Sequence, residues 1–284
     1  MTFHPSLTEL TAHARQCATL TEVSGAILEA SQLVRNALDH RESAQRITQW
    51  YSLIVDDALA SPALRQEGIS RVRLSGAVGR RCALPRDAVT WLSLGFQEDQ
   101  LLTDVLARAH CVAHPATDSL VDICDAGARS VGGPGRPTAC SELFSLVLAH
   151  RPAPLRTIDG LPDPDQLIDV DAHLVRPTTD LARWAGVCAG CTSGATAEMI
   201  ACAQAGGVLS DDEAESLNQA WMTALELQAT RWREGVALHP EPSRNLPALE
   251  RAAFGAASRS VSLLIAAVQA RQAATAPGAG VPTR

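Results

Sequence analysis

One stretch of this chain breaks a pattern that otherwise runs from end to end, and that break fixes the fold class. Val72-Arg73-Leu74-Ser75 alternates, and Ala88-Val89-Thr90-Trp91-Leu92-Ser93-Leu94 is β-rich, as strands require. On either side, apolar residues recur three and four positions apart, the spacing of one helix face. Val23, Ala26, Ile27, Ala30, Val34, Ala37 and Leu38 make one such face before the break, and Ala44, Ile47, Tyr51, Ile54, Val55 and Leu59 make another. After it, Ser210-Asp211-Asp212-Glu213 reads as a capping box opening a helix towards Trp232. A last helix aligns Leu249, Ala253, Ala257, Val261, Leu264 and Val268. With 46% hydrophobic residues but 4% aromatic, alanine and leucine supply most of the core, which favours helices. The expected fold is α+β and mostly helical. It divides into an N-terminal helical segment (1–66), a small mixed-sheet core (67–165), a C-terminal helical bundle (166–272) and a disordered tail (273–284). Prolines at Pro62 and across Pro152–Asp165 mark the joins, and Gly127–Pro137 reads as an exposed loop.

Between the two strands lies Gly76-Ala77-Val78-Gly79-Arg80, read as a glycine turn. Two glycines three apart, followed by an arginine, suit a backbone that approaches a phosphate closely. Gly76, Gly79 and Arg80 are therefore the nucleotide-binding candidates. Transfer chemistry would also need a pair of carboxylates a few residues on to hold a divalent ion, and only Asp87 is at hand, as the catalytic candidate. Further on, Arg176, Asp180 and Arg183 fall at i, i+4 and i+7, where they can pair with one another on one helix face. The acidic run Asp159, Asp163, Asp165, Asp169 and Asp171 reads as a solvated loop and a helix start.

Other classes are disfavoured. Cys188-Ala189-Gly190-Cys191 lacks the second ligand pair of a zinc site, so no metal site is expected and its cysteines read as small buried helix residues. With 24 basic and 31 acidic residues the net charge is −7, which gives no reason to expect nucleic-acid binding. Met1–Pro5 has no basic-then-apolar order of a signal peptide, and the apolar run Val261–Val268 is too short to span a bilayer. A cytoplasmic protein without a membrane partner is expected.

Two blocks carry a resemblance. The first runs Asp171-Ala172-His173-Leu174-Val175-Arg176-Pro177-Thr178-Thr179-Asp180-Leu181-Ala182-Arg183-Trp184-Ala185, then Thr196-Ala197-Glu198-Met199, Gly206-Gly207-Val208-Leu209-Ser210 and the helix from Trp221 to Arg233. The second is the glycine stretch. Together they resemble a nucleotidyltransferase family related to the amino-terminal region of the protein-PII uridylyltransferases, with its carboxy-terminal substrate-binding helical domain. The resemblance implies a nucleotidyltransferase-like core, with Arg176, Asp180 and Arg183 in the substrate-binding region. Family members carry Gly-Ser-x-Gly-Arg-x-Glu and then Asp-x-Asp, whose aspartates hold magnesium. This chain has Ala77 for the serine, Cys82 for the glutamate, and Ala88 and Thr90 at the aspartates. A two-metal clamp is worth several kcal/mol, and at about 1.4 kcal/mol per tenfold its loss removes on the order of a thousandfold in rate. The resemblance thus implies weak or no transferase activity, with Mg2+ and a nucleoside triphosphate as cofactors only in an active form. The alternative is a non-catalytic regulatory module on the same fold, with a nucleotide or a protein as partner.

Overall fold

In the computed structural model, which describes residues 4–127, 135–236 and 240–275, the apolar faces read from the sequence become helix packing surfaces. Helices α1 (Pro5–Ala14), α2 (Leu20–Asp39), α3 (Ala44–Leu59) and α4 (Pro62–Gln66) come first. At the start of α2 the Glu22 N–H donates to the Thr19 hydroxyl at 3.2 Å, and the Ala18 N–H donates to the Glu22 carboxylate at 2.7 Å. Such pairing satisfies donors that a helix start leaves open. Val23, Ala26, Ile27, Ala30 and Val34 of α2, and Ile47, Tyr51, Ile54 and Val55 of α3, are buried, as their spacing requires.

The expected mixed sheet is present. β1 (Leu74–Ser75) pairs antiparallel with β2 (Val89–Trp91), and β2 pairs parallel with β3 (Ala113–Pro115). A parallel pair needs a crossover, and α6 (Phe96–Arg108) supplies it. Val89 and Trp91 are buried, and the Trp91 ring N–H donates to Asp99 at 2.7 Å. Between β1 and β2 the glycine stretch is not a simple turn. It forms one turn of helix, α5 (Gly76–Gly79), closed by the Arg80 N–H on the Gly76 carbonyl at 3.0 Å. Gly76, at φ +58°, makes the sharp change from strand to helix that a side chain would resist.

After β3 come α7 (Leu120–Asp125), opened by a Ser119–Asp122 capping box, and α8 (Arg136–Ala149). Residues 128–134 of the expected glycine-proline loop lie outside the described residues; Arg136 and Pro137 already belong to α8. The proline-rich connector carries a small hairpin, β4 (Thr157–Ile158) and β5 (Leu161–Pro162). The expected helical bundle from residue 166 does not open on an α-helix, which begins only at Arg176. β6 (Leu167–Ile168) and a π-helical turn (Asp171–Val175) precede it, because Pro177 fits only in a first turn. α9 (Arg176–Cys188), α10 (Thr196–Ala205), α11 (Asp211–Arg233), β7 (Glu241–Pro242) and α12 (Ala248–Thr275) complete the chain. The Ser210–Glu213 capping box forms as read, and Trp184 and Trp221 are core residues.

Two expectations about this half are corrected. Cys188 is not merely a buried helix cysteine: it is disulfide-bonded to Cys140, with Cα atoms 5.8 Å apart, so α8 is cross-linked to α9. A partner 48 positions away leaves no mark in local spacing. Residues 273–275 of the expected tail are helical, the remainder lying outside the described residues. Taken whole, α12 is long and apolar enough by length and composition to cross a membrane, although Phe254, Val261, Ile265 and Val268 are buried in the core. That core is one hydrophobic cluster reaching from Leu7 to Val268.

Candidate functional site

The glycines of α5 are occupied with the protein's own backbone. A Cβ on Gly79 would lie 2.5 Å from the Asp125 carbonyl oxygen and 2.6 Å from that of Leu74. A Cβ on Gly76 would meet the Thr90 hydroxyl at 2.7 Å. From the far side, the loop before α10 closes on the same point: a Cβ on Gly194 would fall 1.8 Å from the Asp125 carbonyl oxygen and 3.1 Å from that of Gly79. The Thr196 N–H donates to the Arg80 carbonyl at 3.3 Å. Three backbones, those of α5, the end of α7 and the loop at 192–195, are thus in direct contact. Glycine is what such an approach requires.

Side chains lock the same joint. Arg80 donates to one oxygen of Asp125 at 2.5 Å, and Arg183 donates to the other at 2.8 Å. Arg183 also donates to Asp180 at 2.5 Å, and the second Asp180 oxygen meets the His150 ring at 2.6 Å. The result is a chain of alternating arginines and aspartates, Arg80–Asp125–Arg183–Asp180, ending on the His150 ring and running from α5 through α7 into α9 and the end of α8. Asp125 and Arg183 are 2% exposed. Burial is the largest single influence and works against the charge of each arginine, but the anionic neighbours together, Asp125 foremost, hold both guanidinium pKa values above the ordinary range.

The candidate residues are therefore divided. Gly76, Gly79 and Arg80 are together at the turn, as expected, with Arg80 committed to Asp125. Of the substrate-binding candidates, Asp180 and Arg183 pair and are buried, whereas Arg176 is exposed and bonds to Asp171 at 2.9 Å instead of Asp180. The acidic run is dispersed: Asp163 pairs with Arg156, Asp165 with Arg244, and Asp169 accepts the N–H groups of Asp171 and Ala172. Asp125, His150 and Gly194 were not singled out by sequence reading. No motif flags them, because each acts through a partner distant in the chain.

Magnesium does not fit this site. Ala88 offers no ligand, and the Thr90 hydroxyl is buried without a hydrogen-bond partner among the described residues. The carboxylate of Asp87 accepts the Leu84 N–H at 2.8 Å, and so caps its own loop. Cys82 donates to the Ala77 carbonyl at 3.5 Å, and burial pushes its thiol pKa up to about 11. Among the described residues no three His, Cys, Asp or Glu side chains converge as a metal site. One carboxylate cannot hold a hard cation without further oxygen ligands.

Asp87 itself allows a test. Burial pushes its pKa up, more than the Leu84 N–H and the nearby arginines pull it down. A carboxyl with a raised folded pKa loses stability as pH climbs from the ordinary carboxylate range through the folded value, and the cost persists at neutral pH. Asp87→Asn keeps an oxygen for Leu84 and has no charge to desolvate. Its unfolding midpoint at pH 7 is expected to equal or exceed that of the wild type, with the wild-type advantage returning on acidification. Urea titrations at pH 4 and pH 7 measure both.

Residues 140–271 match the model of a family described as "Putative nucleotidyltransferase substrate binding domain". The match begins in α8, ends in α12, and includes His150, Asp180 and Arg183 of the charged chain. The helical part of this chain is thus similar to nucleotidyltransferase substrate-binding domains, which fits a nucleotidyltransferase-like protein. No curated protein and no solved structure matches the chain.

Proposed function

We propose that this chain is a nucleotidyltransferase-fold protein related to the protein-PII uridylyltransferases, with weak or no transferase activity, that serves as a nucleotide- or protein-binding regulatory module. The observation that carries the reading is the fate of the turn. Arg80, the residue expected to meet a phosphate, is bound into a buried ion chain that ends in the helical domain. The two positions expected to hold magnesium carry Ala88 and Thr90. A turn built this way joins two parts of the molecule and supplies no charge stabilisation to a transferring phosphoryl group.

Pyrophosphate release from each of the four nucleoside triphosphates, with magnesium, tests the proposal on the wild type and Asp87→Ala. The expected result is release at the level of a protein-free control in both. Magnesium-dependent release by the wild type that Asp87→Ala abolishes overturns it. A cytoplasmic location belongs to the same proposal. There Cys140 and Cys188 would be kept as thiols, which alkylation of the protein in fresh cell extract reads directly.

A further inference from the structure

A cleft of about 430 Å³ lies beside the glycine turn, lined on one wall by the segment before β1 and the end of α3, and on the other by the loop before α10. Gly79 and Leu74 border it, whereas Gly76, Ala77 and Thr90 do not. The cleft therefore adjoins the turn on its Gly79 side, away from Gly76, Ala77 and Thr90. Its volume is within the range of small-molecule sites.

The charges in it are unequally committed. Arg71 and Arg73 stand two apart in a segment that runs into β1, and the Leu92 N–H on the Arg73 carbonyl at 3.0 Å extends the sheet pairing to that residue. Strand periodicity puts their side chains on the same side, opposite the buried Val72 and Leu74. Neither guanidinium has a hydrogen bond or ion pair among the described residues. Arg81, the third arginine, is held by Asp56 at 2.5 Å and by the Ser52 carbonyl at 3.3 Å. Of the three lining carboxylates, Asp56 is committed to Arg81, and Asp125 to Arg80 and Arg183. Glu198, exposed in the first turn of α10, remains. Gly127 and Gly194 leave their part of that wall without side chains. Two free planar donor forks on one wall, with a single acid facing them, favour an anion that presents one acidic group to each fork.

We infer that this cleft binds a small molecule carrying two linked phosphates, with Arg71 and Arg73 as its ligands, and that it does so without a metal ion. Glu198 opposes the anion and sets its affinity below what the arginines alone would give. The inference does not depend on whether the turn itself is catalytic.

Calorimetric titration in EDTA, with sodium pyrophosphate, ADP and adenosine as probes, tests it on three proteins: wild type, the Arg71→Gln/Arg73→Gln double variant, and Glu198→Gln. Pyrophosphate and ADP should bind the wild type and adenosine should not. The double variant should lose roughly tenfold or more in affinity, and Glu198→Gln should gain a few-fold, as single charge-assisted contacts do. Unliganded unfolding midpoints should stay unchanged in both variants, since none of these side chains makes an ion pair that folding needs. ADP binding more tightly than pyrophosphate supports a nucleotide as the ligand; equal affinity supports the diphosphate alone as sufficient. No wild-type binding of either probe at about 1 mM, or equal binding by the folded double variant, overturns the site. So does weaker binding by Glu198→Gln.

Discussion

Replacing Asp125 with alanine is expected to lower the unfolding free energy by about 3–5 kcal/mol, the cost of breaking a buried ion pair from one side. Its carboxylate accepts from Arg80 and Arg183 at once, and it is 2% exposed. The truncation leaves Arg80 without its ion partner and Arg183 with Asp180 alone, in a place water reaches poorly. Denaturant titration measures the loss, and a second variant identifies its cause. Asp125→Ala/Arg183→Met removes the stranded cation together with the carboxylate, so the double change should cost clearly less than the sum of the two single changes. A loss for Asp125→Ala below about 1 kcal/mol, the worth of an exposed pair, would show that the joint is wet and loose.

Gly194→Ala attacks the same joint by shape. The added methyl would stand 1.8 Å from the Asp125 carbonyl oxygen and 2.6 Å from its carbon. That obstacle is backbone, which no change of side-chain conformation can clear, and Asp125 is also held by two arginines. The loop at 192–195 has to lift from α5 and α7, and the expected cost is about 3 kcal/mol, the upper end of overpacking in a tight contact. Gly25→Ala is the matched control. It lies on the exposed face of α2 with nothing within 4 Å of an added Cβ. There the same substitution should gain up to about 1 kcal/mol through helix propensity. Opposite signs from one chemical change, in one assay, separate the close approach from any general effect of glycine.

The sequence was readable wherever structure is decided within a few residues. The apolar faces of α2 and α3, that of α12 from Ala257 to Val268, and the Ser210–Glu213 cap depend on spacings of three and four and formed, whereas Leu249, read into the α12 face, is 82% exposed at the helix start. The pairing of Leu74–Ser75 with Val89–Trp91 was also legible, because β-rich segments flanked a short break. The purpose of the glycines was not. A close backbone approach is the same sequence signal whether the neighbour is a phosphate or another part of the chain, and at Gly79 the neighbour is Asp125. Arg80 carries the same ambiguity, since a guanidinium built to meet an anion is equally satisfied by a carboxylate brought from α7. The partners that resolve it, Asp125, Arg183 and Gly194, come from elements far apart in the sequence, as does the Cys140–Cys188 pair.

The ion chain through Asp125 also constrains how this protein can change over generations. Arg80, Asp125 and Arg183 balance one another, so altering any one of them alone strands a buried charge. These positions should therefore drift as a set in relatives of this chain, kept together or replaced together by apolar residues of similar bulk. Gly79 and Gly194 should stay fixed for as long as the backbone of Asp125 lies between them. A helical domain transplanted from a relative would be accepted only if it brought the Arg183 counterpart that this core already expects.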